Sequence, residues 1–132
     1  MAEKTVTLSD VEAARQAERE VLEEVSRRGY SDACAFAIRL AMEEGLNNAI
    51  RHGNHHDPAK VVRLVVDVSN ERVAITIRDE GQGFDPASVP DPTADENLEK
   101  PCGRGIMLME AYMDEVHFNA CGNEVHMIKR NR

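Results

Sequence analysis

Tryptophan is absent from this sequence, and aromatic residues make up only 4% of its 132 positions. Any core must therefore be filled by aliphatic side chains and methionine. Cysteine is scarce too. Cys34, Cys102 and Cys121 are odd in number and form no CxxC pair, which argues against a disulfide framework and fits reduced thiols. No apolar run approaches the roughly 20 residues of a membrane span. The opening "MAEKTVTLSD" lacks the apolar centre of a signal peptide. Together these absences predict a soluble cytoplasmic protein that engages no membrane. Positive charge is the last shortage. The net charge is −8, and the only basic cluster is "KRNR" at 129–132. Direct binding to a nucleic-acid backbone needs clustered Lys and Arg, so that class is excluded. An acidic surface suits a protein partner instead.

What is present suffices for a single domain spanning 1–132. Hydrophobic residues make up 42% of the chain, and a chain of this length buries roughly two-thirds of the surface its unfolded form exposes. "TVTL" (5–8) reads as a short strand. Ser9 and Glu12 form a capping-box pattern, opening a helix that runs to Arg28 and stops at Gly29. Val11, Ala14, Val21, Leu22 and Val25 give it an apolar stripe. Ser31 caps a second helix that ends at Gly53, with Phe36, Leu40, Ile50 and several alanines on its packing face. "VVRLVVDV" (61–68) and "VAITIR" (73–78) form a hairpin through "SNER". Residues 84–102 hold four of the five prolines and little apolar content, the composition of a lid or binding loop. A short helix, "GIMLMEAYM", follows. "EVHFNAC" and "EVHMIKR" then form a second hairpin about Gly122-Asn123. The order of strand, helix, helix, hairpin, lid, helix and hairpin predicts an α+β two-layer sandwich. Its helices lie on one face of a mixed, mostly antiparallel sheet. There are no internal repeats.

Three places in this pattern depart from what local structure asks for. Gly45, Asn47 and Asn48 sit mid-helix, where each is worse than alanine. In the same helix Glu44 and Asn48 are four apart and share a face. A carboxylate there can accept a proton, and an amide oxygen can join a hard cation such as Mg²⁺. A solvated helix face explains the same pair. Second, "RDEGQGFDP" puts Asp79 at a strand end, with Gly81 and Gly83 just after it. The acid can accept a hydrogen bond from an exocyclic amine, and the glycines let a flat ring approach the backbone. A plain turn is the simpler alternative. An EF-hand loop is excluded, since it would need ligands at Gly81 and Gly83 and an acid at Pro90. Third, "GRGIMLM" sets Gly103 and Gly105 at the mouth of a helix, where free N–H groups and the helix dipole favour phosphate. A Rossmann fingerprint would need glycine where Leu108 stands.

The order of these signals is more telling than any one of them. E-x-x-x-N-A on a helix is followed by D-x-G-x-G after a strand, a long loop, and G-x-G opening a helix. This resembles the GHKL ATPase superfamily, the Bergerat fold of gyrase, Hsp90, histidine kinases and MutL. Through "AMEEGLNNAIRHG", "VAITIRDEGQGFDP" and "GRGIMLMEAYMDEV" the chain most resembles the anti-sigma factor serine/threonine kinases of bacterial partner-switching systems, over nearly its whole length.

That resemblance implies an ATP-dependent protein serine/threonine kinase with ATP and Mg²⁺ bound. By it, Glu44 is the general base, Asn48 the Mg²⁺ ligand and Asp79 the acceptor for the adenine amine. Gly81 and Gly83 shape the adenine floor. Gly103 and Gly105 bring the lid backbone, about 84–103, to the phosphates, with Arg104 assisting. The implied partners are a small STAS-type anti-sigma factor antagonist, which is phosphorylated, a sigma factor, and a second copy of the chain in a homodimer. The sequence departs from the family at Asn123, where many relatives carry a threonine that supports the adenine-binding Asp. Two other readings stand beside the kinase: a nucleotide-binding partner switch without kinase activity, and a stand-alone histidine-kinase-type catalytic domain. Elsewhere, His52, His55 and His56 read as a loop cluster rather than a metal site. Met107, Met109 and Met113 read as core, and Cys102 as a small buried residue.

Overall fold

The structure is a computed structural model that describes residues 2–8, 11–53, 60–80, 101–119 and 123–131. Strand β1 (Ala2–Leu8) leads into helix α1 (Val11–Arg27), and α2 follows (Asp32–Asn47). The chain then continues as a π-helical turn, Asn48–Gly53. β2 (Val62–Val68) and β3 (Arg72–Arg78) form the first hairpin. Helix α3 (Pro101–Tyr112), β4 (Glu115–Phe118) and β5 (Glu124–Arg130) complete the order. This is the element order expected from the sequence.

The ends of these elements follow from local chemistry. Gly29 closes α1 with a φ of 78°, a left-handed conformation that side chains rarely adopt. Ser31 caps α2 by accepting a hydrogen bond from the Cys34 N–H at 3.1 Å. In the β2–β3 turn, the Ser69 hydroxyl accepts from the N–H groups of Glu71 and Arg72 and donates to the Arg72 carbonyl. Pro101 begins α3. Proline suits a first helical position because its missing N–H would have no partner there. The helix therefore starts earlier than expected, and residues 101–103 belong to it rather than to the lid. The rest of the lid, with Ser9, Gly81, Gly83 and Gly122, lies outside the described residues.

The five strands form one sheet in the order β1-β2-β3-β5-β4. Every pairing is antiparallel, so the sheet is not mixed among the described residues. The reason lies in the last hairpin. β3 and β4 point the same way, but β5 is inserted between them and pairs with both. The crossover through α3 is thus split by an antiparallel strand.

Period-two alternation decides which side of the sheet is covered. Val62, Leu64, Val66 and Val68 of β2, Val73, Ile75 and Ile77 of β3, and Val125 and Met127 of β5 are buried. Against them pack Ala14, Ala17, Val21 and Val25 of α1 and Ile38, Ala41, Met42 and Leu46 of α2, with Met109 and Met113. The core is aliphatic and methionine-rich, as the shortage of aromatics requires. Three expected core residues lie outside it, Leu40 being only half-buried. Phe36 is 45% exposed and Met107 is 47% exposed. Phe36 meets Tyr112 of α3 edge-on with ring centres 5.7 Å apart, and the Arg39 guanidinium lies over its face. The buried side of α2 holds the expected alanines Ala37 and Ala41, with Cys34, Ile38, Met42, Gly45 and Leu46 beside them.

Candidate functional site

Glu44 and Asn48 stand one turn apart near the end of α2, both half-buried. The Asn48 N–H reaches back to the carbonyls of both Glu44 and Gly45. From Asn48 onward the hydrogen bonds lengthen to the wider π spacing. Helical segments of this kind recur at functional sites, because the wider turn re-aims side chains. The two asparagines that are poor helix formers thus sit where the helix changes pitch.

Gly45 explains itself by contact. A Cβ there would lie 2.6 Å from Ile77 Cδ1, closer than atoms can approach. The missing side chain lets α2 settle directly on β3, two residues before Asp79. α3 packs against both α2 and the π-helical turn. α2, which carries Glu44 and leads into Asn48, therefore lies against both β3, which ends one residue before Asp79, and α3, which contains Gly103, Arg104 and Gly105. Gly103 and Gly105 fall inside the opening of α3, not before it. Gly81 and Gly83, expected beside Asp79, are outside the described residues. So is most of the His52, His55, His56 cluster. Among the described residues no three His, Cys, Asp or Glu side chains converge as a metal site.

Asp79 is held by its backbone. Its N–H donates to the Asn123 carbonyl at 2.9 Å, one residue past the last paired position of β3 and β5, Arg78 with Glu124. Asn123 is itself gripped by Asn119, whose amide nitrogen donates to Asn123 Oδ1 at 2.7 Å. The sequence reading singled out Asn123 but missed Asn119. The available signal was "NACGNE", which places an asparagine at each end of a tight turn, where such side chains bond to nearby backbone.

A second polar cluster lies between α1 and α2, away from this constellation. Glu18, only 8% exposed, shares a hydrogen bond with Glu43. Burial, and then that bond, push the Glu18 carboxyl up to about 7. Arg15, Arg19 and Asn47 line the same cavity of about 380 Å³. Glu43 precedes Glu44 in the chain, but it belongs to this cluster and not to the face of Glu44 and Asn48.

A family model described as a histidine kinase-like ATPase domain matches residues 7–129. The chain is similar to an anti-sigma F factor of Anoxybacillus flavithermus, 38% identical over 98 residues, covering 70% of this chain and 66% of that one. To an anti-sigma F factor of Oceanobacillus iheyensis it is 33% identical over 99 residues, covering 70% and 67%. To the serine-protein kinase RsbW of the same organism it is 26% identical over 100 residues, covering 71% and 63%. The chain thus spans just under two-thirds of the Anoxybacillus relative's length. Among solved structures, the RsbU and RsbW domains of Rv1364c from Mycobacterium tuberculosis align with all of this chain and 32% of that one. The TM-score is 0.63 at 18% identity, a likeness of fold.

Proposed function

We propose, from the premise that this chain belongs to the histidine kinase-like ATPase domain family, that it is an ATP-dependent protein serine kinase acting as an anti-sigma regulatory factor. Its substrate is a hydroxyl on a small antagonist protein, and its regulated partner is a sigma factor. The observation that carries this reading is the pairing of Glu44 with Asn48, one turn apart and half-buried, at the point where α2 widens.

The donor set fits a magnesium nucleotide. Asn48 offers a neutral oxygen for a hard cation. Asp79, fixed at its backbone, accepts from the 6-amine of adenine. By the family resemblance, Gly81 and Gly83 would shape the adenine floor. In a helix that starts at Pro101, the unpaired backbone donors include those of residues 102 and 103, which would meet the phosphates, with Gly105 and Arg104 in the supporting roles that the family resemblance gives them. Bound Mg²⁺ supplies neutralisation of phosphate charge. Glu44 takes the proton of the acceptor hydroxyl as that oxygen bonds to the γ-phosphorus and the β–γ bridging oxygen leaves with ADP. A pure binding module has no use for a base at that position, and this favours the enzyme over a nucleotide-sensing switch.

The test is incubation with γ-labelled ATP and antagonist-type proteins encoded near this gene, followed by mapping of the labelled residue. Label on a serine or threonine that depends on Glu44 supports the kinase. Tight nucleotide binding with no transfer supports the switch. Label on a histidine of the acceptor supports a detached histidine-kinase catalytic domain.

A further inference from the structure

One side chain ties the end of β4 to the start of β5. Asn119 Oδ1 accepts hydrogen bonds from two successive backbone N–H groups, Asn123 at 3.1 Å and Glu124 at 3.3 Å. Two donors fix which way that amide points, because only its oxygen can accept. Its nitrogen then faces Asn123 Oδ1 at 2.7 Å, which fixes the Asn123 amide in turn. The Asn119 N–H adds a fourth bond, to the Glu124 carbonyl at 3.1 Å. The Asn123 carbonyl, held in this frame, accepts the Asp79 N–H at 2.9 Å. Asp79 is the first residue beyond the β3 ladder, where a chain end would otherwise fray. All three residues are half-buried, so these bonds are partly shielded from water.

We infer that Asn119 is a positioning residue for base selection. It locks Asn123, and Asn123 sets the backbone from which the Asp79 carboxylate reaches the base. The inference rests on the reading of Asp79 as the adenine acceptor. A single backbone bond passes the effect on. When the turn loosens, the strand end moves and the carboxylate loses its aim at the exocyclic amine. The phosphate contacts come from α3, a separate element, and stay in place. Asn119 therefore governs the part of affinity that depends on the amine and leaves the rest alone. This also gives the asparagine at 123 a physical role, since its side chain is committed to Asn119.

The experiment titrates the full-length parent, Asn119→Ala and Asn119→Asp with two nucleotides by calorimetry. One is ATP and the other is purine riboside triphosphate, which lacks the 6-amine. In the parent, ATP should bind about tenfold more tightly, as one hydrogen bond to a charged group provides. Asn119→Ala should lose most of that preference through weaker ATP binding, with the amine-free nucleotide held within about twofold. Asn119→Asp keeps an acceptor for both backbone N–H groups, and the Asn123 amide can turn to donate to it, so the preference should return. If Asn119→Ala fails to fold, Asn119→Ser carries the same test, since it keeps an oxygen but loses the amide donor. A folded variant of lower melting temperature with the parent's preference for ATP would make Asn119 a structural residue only and overturn the inference. A parent that binds both nucleotides equally overturns the reading of Asp79 itself.

Discussion

Gly45 lies directly on Ile77, with the position of an absent Cβ 2.6 Å from Cδ1 and 3.6 Å from the Met127 terminal methyl. Glycine in a helix interior costs about 1 kcal/mol relative to alanine, so the close approach of α2 to β3 offsets a local penalty. Gly45→Val inserts three carbons into a filled space and should lower unfolding free energy by about 1–3 kcal/mol. Ile77→Val removes the clashing methyl and should recover part of that loss in the double variant. Urea unfolding of the four proteins measures the coupling. Strict additivity of the two changes would mean the contact is not what the glycine serves.

Glu18 gives the fold a pH dependence with a definite sign. Burial, and then Glu43, raise its carboxyl from 4.5 to about 7, with Arg39 and Arg15 pulling the other way. A raised acid binds a proton in the folded state that the unfolded chain has already released. Stability is therefore fully present below 4.5 and is lost as pH rises towards 7. The loss is at most about 3 kcal/mol. Glu18→Gln should be flatter across this window, seen by comparing denaturant midpoints at about pH 5 and about pH 8. Equal slopes in parent and variant would remove the buried proton from the picture.

Glu44→Gln tests whether Glu44 serves as the proposed base. The amide keeps the shape of the side chain but cannot accept a proton. Nucleotide affinity should stay near that of the parent, while transfer to the acceptor hydroxyl slows by about 10²-fold or more. Single-turnover rates with labelled ATP decide the matter. Transfer at the parent's rate would return Glu44 to the status of an ordinary helix-face residue.

Asn48→Ala removes a neutral oxygen from the same face. Binding of ATP should weaken in the presence of Mg²⁺ by about tenfold or more and change little when the ion is chelated. Far-UV circular dichroism should be unchanged, because Asn48 already stands where the helix leaves its regular pitch. A Mg²⁺ response equal to the parent's would mean that Asn48 is not the ligand.

Much of this was legible in the residues. Ser31 and Gly29 mark helix ends by capping chemistry, and both elements end there. Alternation in "VRLVVDV" and "RVAITIR" identifies strands with one buried side. Glu44 and Asn48 could be paired because helical spacing fixes which residues share a face. What stayed hidden depends on contacts between distant parts of the chain. Nothing local to Phe36 says that Tyr112 will be its neighbour and solvent its other side. The insertion of β5 between β3 and β4 is a matter of strand order, which hydrophobic periodicity does not encode. The grip of Asn119 on Asn123 is nearer the surface of the sequence, but its link to Asp79 needs the sheet to form first.

The split crossover has a kinetic meaning. Residues 72–79 are synthesised well before Asn123 and the strand that follows it, and β3 has only β2 beside it until β5 arrives. The Asp79 N–H thus has no carbonyl to meet until more than forty further residues have left the ribosome. The corner where Asp79 meets Asn123 is consequently among the last parts of the domain to take shape, closed by a contact of large sequence separation that slows folding. A nascent chain stopped before β5 should carry a helical layer and a partial sheet yet be unable to distinguish adenine from any other base. If Asp79 is the adenine acceptor, recognition would be acquired at the end of folding, with the strand that completes the sheet.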